Sequence, residues 1–215
     1  MIRPAAWFLA LAAAAAAQDG YLRLDAKTAR STALQMRANG QVGGSFDFRV
    51  TSTDRSHNYK LRATWLTPEV FRATARLAQL TDGLSDDQTR QLVAEAESAG
   101  DTVVLVEIDP REGSGVIPQN WNASLMPRGG DPAGPRVARG VSVPKLRDAR
   151  ALAGAAQRDY AYDVFWVVFP LRLPDGSPLF GPEDREAELA VRIYSKGGRV
   201  RWTIPDSIRG KLQPR

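Results

Sequence analysis

The chain has 215 residues, no cysteine, one histidine, and 29 lysines and arginines against 24 acids, for a formal charge of +5. Without cysteine there is no disulfide and no thiolate metal site, so packing alone must hold the fold. The charge is too mild for a nucleic-acid binder's profile, and nucleic acid is excluded as a partner.

Met1 to Pro4 carries one positive charge, and residues 7–17 form an apolar run ending in Ala15, Ala16 and Ala17. A charged start, a short apolar core and a small-residue end read as a secretory signal peptide over residues 1–17. A membrane span needs about 20 apolar residues, and no later segment is long and apolar enough, so no transmembrane segment is expected after cleavage. Residues 18–215 then form one β-rich domain. Loss of Arg3 with the leader would lower its charge to +4. The alanine- and arginine-rich composition points to a bacterial source, with the mature protein exported to the periplasm or beyond.

Residues 21–25 read as a short strand, and residues 27–38 as helix or coil. Phe46, Phe48 and Val50 alternate with polar residues, as do Leu61, Ala63 and Trp65. Period two with one polar face predicts an antiparallel pair over a core. At Thr67 the period changes. Thr67, Pro68 and Glu69 supply an N-cap, a proline at the first helical position and a first-turn acid. Val70, Thr74, Leu77 and Ala78 follow at helical spacing, and Gly83 ends the helix. Ser85 and Gln88 form a capping box for a second helix with Leu92, Val93 and Ala96 inward. Residues 68–99 are thus a helical hairpin inserted between strands.

Strands resume over residues 102–109 and 121–126. Residues 128–140 hold four glycines and two prolines and read as a loop. Residues 163–173 are apolar on both faces, which marks a central strand covered on both sides. Pro174, Asp175 and Gly176 make a turn. Leu189, Val191 and Ile193 share one apolar face, Val200, Trp202 and Ile204 another. Gly197 and Gly198 between them suggest a tight hairpin. The tail from Pro205 is polar and basic. Eight or nine strands separated by turn clusters predict a mainly β, antiparallel β-sandwich-like domain with an inserted helical hairpin; the alternative is α+β.

Catalytic and metal motifs find little purchase. His57 lies alone in a polar turn. Ser142 and Lys145 match S-x-x-K, but Pro144 opposes the helix that motif needs. Asp82, Asp86 and Asp87 read as helix-cap acids rather than a calcium loop. The pairs Asp109/Glu112 and Glu183/Asp184 are turn neighbours, whereas glycoside hydrolysis needs carboxyls facing each other across a cleft. No cofactor, metal or catalytic residue is therefore assigned. One feature favours binding. Arg128, Arg136, Arg139, Lys145, Arg147 and Arg150 stand against Asp131 and Asp148, so residues 128–150 hold the whole charge surplus of the mature chain. Such a field attracts an anionic envelope polymer or an acidic protein. Trp121, in a polar run, is a candidate exposed ring beside it. The expected function is an exported, non-enzymatic binding or structural protein of the bacterial envelope. A hydrolase using convergent carboxylates and a small-ligand or lipid carrier are the alternatives.

Overall fold

The computed structural model describes residues 19–42, 59–110, 120–142, 163–193 and 196–212. The fold is α+β: two antiparallel sheets, of five and four strands, and four helices. The described residues begin with a 3-10 turn, Asp19–Arg23, in place of the expected strand. Tyr21 is buried there while its neighbours are not, a pattern one turn of helix meets as well as a strand. Helix α1 (Ala26–Gln35) is capped by Asp25, whose carboxylate accepts from the Thr28 N–H. Strand β1 (Arg37–Val42) pairs with β2 (Tyr59–Leu66) from Arg37↔Thr64 to Val42↔Tyr59. The expected strand at Phe46–Val50, like His57, lies outside the described residues.

Helices α2 (Pro68–Asp82) and α3 (Asp86–Glu97) form the hairpin anticipated between strands. Thr67 caps α2, Gly83 closes it in the left-handed region at φ 69°, and both halves of the Ser85–Gln88 capping box are present. Their apolar stripes, including Val70, Phe71, Val93 and Ala96, are buried. Strand β3 (Thr102–Pro110) is the middle of the first sheet, paired with β2 and with β7 (Asp163–Phe169). Both faces of β3 are buried, as its apolar run requires. Glu107 is the exception in that run, and Arg37 lies 3.6 Å from its carboxylate. A buried carboxylate needs such a partner.

Strand β4 (Trp121–Pro127) starts the second sheet, between β5 (Ala138–Arg139) and β8 (Glu186–Ile193). Strand β9 (Lys196–Thr203) completes it beside β8. Only Gly140 separates β5 from β6 (Val141–Ser142), which belongs to the first sheet. At Gly140 the chain crosses between sheets, and a methyl group there would fall 2.3 Å from Val167 Cγ1. Only glycine admits so close an approach. The other ends of the two sheets also meet, since a methyl on Gly40 of β1 would lie 2.8 Å from Val200 Cγ1 of β9.

One apolar cluster draws on both sheets and on the helices. Trp65 of β2 is fully buried, 5.7 Å by ring centroid from Trp202 of β9 and 6.2 Å from Phe180. Two details depart from the sequence-based expectation. Gly197 and Gly198 are not the hairpin turn but lie within β9, opposite Arg192 and Val191. The polar tail is helix α4 (Asp206–Leu212), docked by buried Ile208 and by the Ser207 hydroxyl, which donates to Glu69 at 2.7 Å. Ile208 and Leu212, four residues apart, are the only apolar residues in this seven-residue segment, too short a repeat to stand out in the sequence.

Candidate functional site

Alternation decides what the second sheet shows to solvent. Leu125, Leu189 and Val200 are paired neighbours on its inner face and are buried. The residues between them turn outward. One outward row crosses all four strands by register: Arg139 on β5, Ser124 on β4, Ala190 on β8 and Arg199 on β9. At the usual spacing of neighbouring strands, the two arginines stand roughly 14 Å apart at the backbone. The next outward row holds Asn122, Arg192 and Gly197. Small Ser124 and Ala190 in the middle, Arg139 and Arg199 at the margins and Arg192 further along β8 line an open cleft of about 850 Å³, walled on one side by Asp131, Pro132 and Ala133.

That wall has a local cause. The 128–137 segment folds back over the sheet through Gly129, at φ 73°. Gly130 sits so close that a methyl on it would reach 3.1 Å from Met126 Cγ. This covers Met126, an outward residue that is nonetheless fully buried. The Asp131 carboxylate accepts from the Ala133 N–H at 2.9 Å, which holds the wall's shape. Arg128 and Arg136 pin the segment at its two ends, to Glu186 at 2.5 Å and to Asp184 at 2.7 Å.

The third outward row fixes the arginines of β9. Glu188 has no exposed surface and accepts from Arg199 Nη1 at 2.5 Å and Arg201 Nε at 2.7 Å. Burial pushes its carboxyl upward, but the hydrogen bonds from Arg201 and Arg199 outweigh that and hold it below the ordinary glutamate value. Because Glu188 is shared by two arginines, the Arg199–Arg201–Glu188 group keeps one net positive charge, and Arg199 is held in place at the cleft margin by its hydrogen bond. Arg139 at the opposite margin is exposed and has no ion-pair partner among the described residues.

The basic segment therefore divides. Arg139 lines the cleft, whereas Arg128 and Arg136 brace the fold and spend their charge on carboxylates. Lys145, Arg147 and Arg150 lie outside the described residues. Trp121 is half-buried: it packs on the core cluster and also lines a shallow surface pocket with Asn120, Asn122 and Arg192. Arg192 and Arg199 were missed. Their alternation with Val191, Ile193 and Val200 marks them as outward, but nothing local places β9 three strands from β5.

Among the described residues the cleft lining offers one carboxylate, Asp131, already bonded within its own loop. The described lining therefore holds no facing pair of the kind glycoside hydrolysis uses. A second cavity, of about 410 Å³, lies where α1, α2 and β9 meet and is lined in part by Glu69, Glu186 and Arg201. Both carboxylates there are engaged, Glu69 by Ser207 and Glu186 by Arg128. Asp86 and Asp87 are also spoken for, by Gln79 and Arg90. Among the described residues no group of three or more acids or histidines could hold a metal ion, and no helix is long and apolar enough to cross a membrane. Comparison with family models, curated proteins and solved structures finds no match.

Proposed function

We propose that the protein is an exported, non-enzymatic binding protein of the bacterial envelope, which takes an anionic partner in the cleft on the outer face of its second sheet. The address rests on the leader-like residues 1–17; the binding reading rests on the cleft. The observation that carries it is the cross-strand row with an arginine at each end and small residues between. Guanidinium groups suit this task because their planar forks match carboxylate, sulfate and phosphate oxygens two at a time. The buried Glu188 beneath Arg199 lowers the ordering cost of recognition, because a fork already held loses less freedom on binding.

Salt elution from a sulfated resin tests this. Arg139→Ala with Arg199→Ala removes the two arginines of the cross-strand row, while Arg128→Ala with Arg136→Ala removes two charges from the bracing pairs. The first double variant should elute at clearly lower salt than the second. Equal shifts would mean that retention follows total charge and that the cleft has no special part in it.

A further inference from the structure

We infer that the second cavity, where α1, α2 and β9 meet, takes a short peptide with both ends free, laid along the open edge of β9. The lining of this cavity shares no residue with that of the arginine cleft, so the two sites stand or fall separately.

The main chain of β9 supplies the first reason. In an antiparallel pair, residues that exchange bonds with the partner strand alternate with residues that turn their N–H and C=O away from it. The Ile204 N–H donates to the Arg185 carbonyl at 2.9 Å, which continues the register Glu186↔Thr203 and Glu188↔Arg201. Trp202 and Ile204 therefore bond toward β8, while Arg201 and Thr203 turn their main-chain groups to the other side. β9 is the last strand of its sheet, and among the described residues no strand pairs with that side. β1 approaches only further along, where a methyl on Gly40 would lie 3.0 Å from the Arg199 carbonyl oxygen. Beside Arg201 and Thr203 lies the cavity instead, closed by the last turn of α1. An extended peptide gains affinity by adding to such an edge through main-chain hydrogen bonds.

Charge sets the peptide's ends and its direction. Glu69 accepts from Ser207 through Oε2, and Glu186, opposite Thr203, meets Arg128 through Oε2. Each has its Oε1 left over to face an ammonium. Arg201, two residues back along β9, spends Nε on Glu188 and keeps its terminal nitrogens for a carboxylate. The peptide thus runs antiparallel to β9. Arg201 and Thr203 stand about 7 Å apart along the strand, the span of two or three residues. A free amino acid carries both charges on one carbon and cannot reach both poles. A polyanion would meet two carboxylates. The volume, about 410 Å³, lies within the range of small-ligand sites, and buried Met36 and Trp202 give it apolar walls.

The test is an NMR titration of the full chain with dialanine, trialanine, free alanine, and the N-acetylated and C-amidated forms of trialanine. The better of the two peptides should bind with a Kd below about 1 mM, at least about tenfold tighter than free alanine. Each blocked form should be weaker by about tenfold. If neither peptide binds, or the blocked forms bind as well as trialanine, the inference is overturned. Thr203→Pro removes an N–H that faces the cavity and none that serves the ladder, so it should cost at least about tenfold. Unchanged binding would take the edge out of the site. Should that chain fold poorly, as its melting midpoint would report, Glu69→Gln decides. The amide oxygen still accepts from Ser207, but the charge facing the ammonium is gone. Trialanine should weaken by about fivefold, and N-acetylation should then cost much less than in the parent. An undiminished cost of N-acetylation would place the ammonium elsewhere and overturn the proposed orientation.

Discussion

Replacing Trp65 by alanine should be the most damaging single truncation between the two sheets. The ring is fully buried and meets Trp202 and Phe180 at tilted geometry, with centroids 5.7 and 6.2 Å away. Its indole N–H donates to the Thr102 hydroxyl, also buried. Truncating a buried tryptophan costs about 3–5 kcal/mol. Each tilted ring pair adds roughly 0.5–1.5 kcal/mol beyond area, so the upper end of the range is expected here. In a chain of this size a loss near 5 kcal/mol should lower the melting midpoint by about 10–20 °C. Equilibrium urea unfolding should show the loss as a lower midpoint with an unchanged slope. Trp65→Phe separates the two contributions. It keeps a ring but orphans the Thr102 hydroxyl, which costs about 1–3 kcal/mol. Adding Thr102→Val to Trp65→Phe should then restore part of the loss. A Trp65→Ala loss below about 1 kcal/mol, far under the range for a buried ring, would refute the shared core between the sheets.

Glu188→Gln should weaken the fold at neutral pH by about 1–3 kcal/mol, a figure kept low because both partner arginines are half exposed. Because the native carboxyl titrates below its unfolded value, its stabilisation is fully present above the ordinary glutamate range and is lost as pH falls from there through the lower, native value. The gap between parent and variant should therefore close in acid, and a gap independent of pH would contradict the pairing. Gly140→Ala should cost about 1–3 kcal/mol or more by overpacking Val167 and Phe169, read from thermal melts. Gly210→Ala, with open space around it in α4, should be neutral or gain up to about 1 kcal/mol. The intact mass of the protein from its native host should match a chain starting at or near Gln18; a retained Met1 would overturn the proposed address.

The helical hairpin was the most legible part of the chain. Its caps are local devices: Thr67, Gly83 and the Ser85–Gln88 box each act on backbone groups within four residues, so sequence spacing alone reveals them. The strands were legible for the same reason, because alternation such as Leu189, Val191 and Ile193 is read one residue at a time. The class shifted from mainly β to α+β because two short helices, α1 and α4, carry few apolar residues. They are held in part by contacts from elsewhere, such as Ser207 on Glu69. The candidate site was legible at one end only. Arg139 stood out as charge in a glycine-rich segment, but charge counting could not tell it from Arg128 and Arg136.

What the sequence determines by itself is what neighbours in the chain decide: the caps, the strand periodicity, the lack of any cysteine, and the surplus of charge over residues 128–150. What only the tertiary structure decides is which charges are free to act. Arg128 and Arg136 meet Glu186 and Asp184, residues 58 and 48 positions away. Arg139 and Arg199 come to share one row although two strands, β4 and β8, stand between them. Strand order is a global choice, made by the apolar faces closing on Trp65 and Trp202, and it is invisible to any local pattern. The cleft exists because that choice puts small residues between arginines drawn from opposite margins of the sheet.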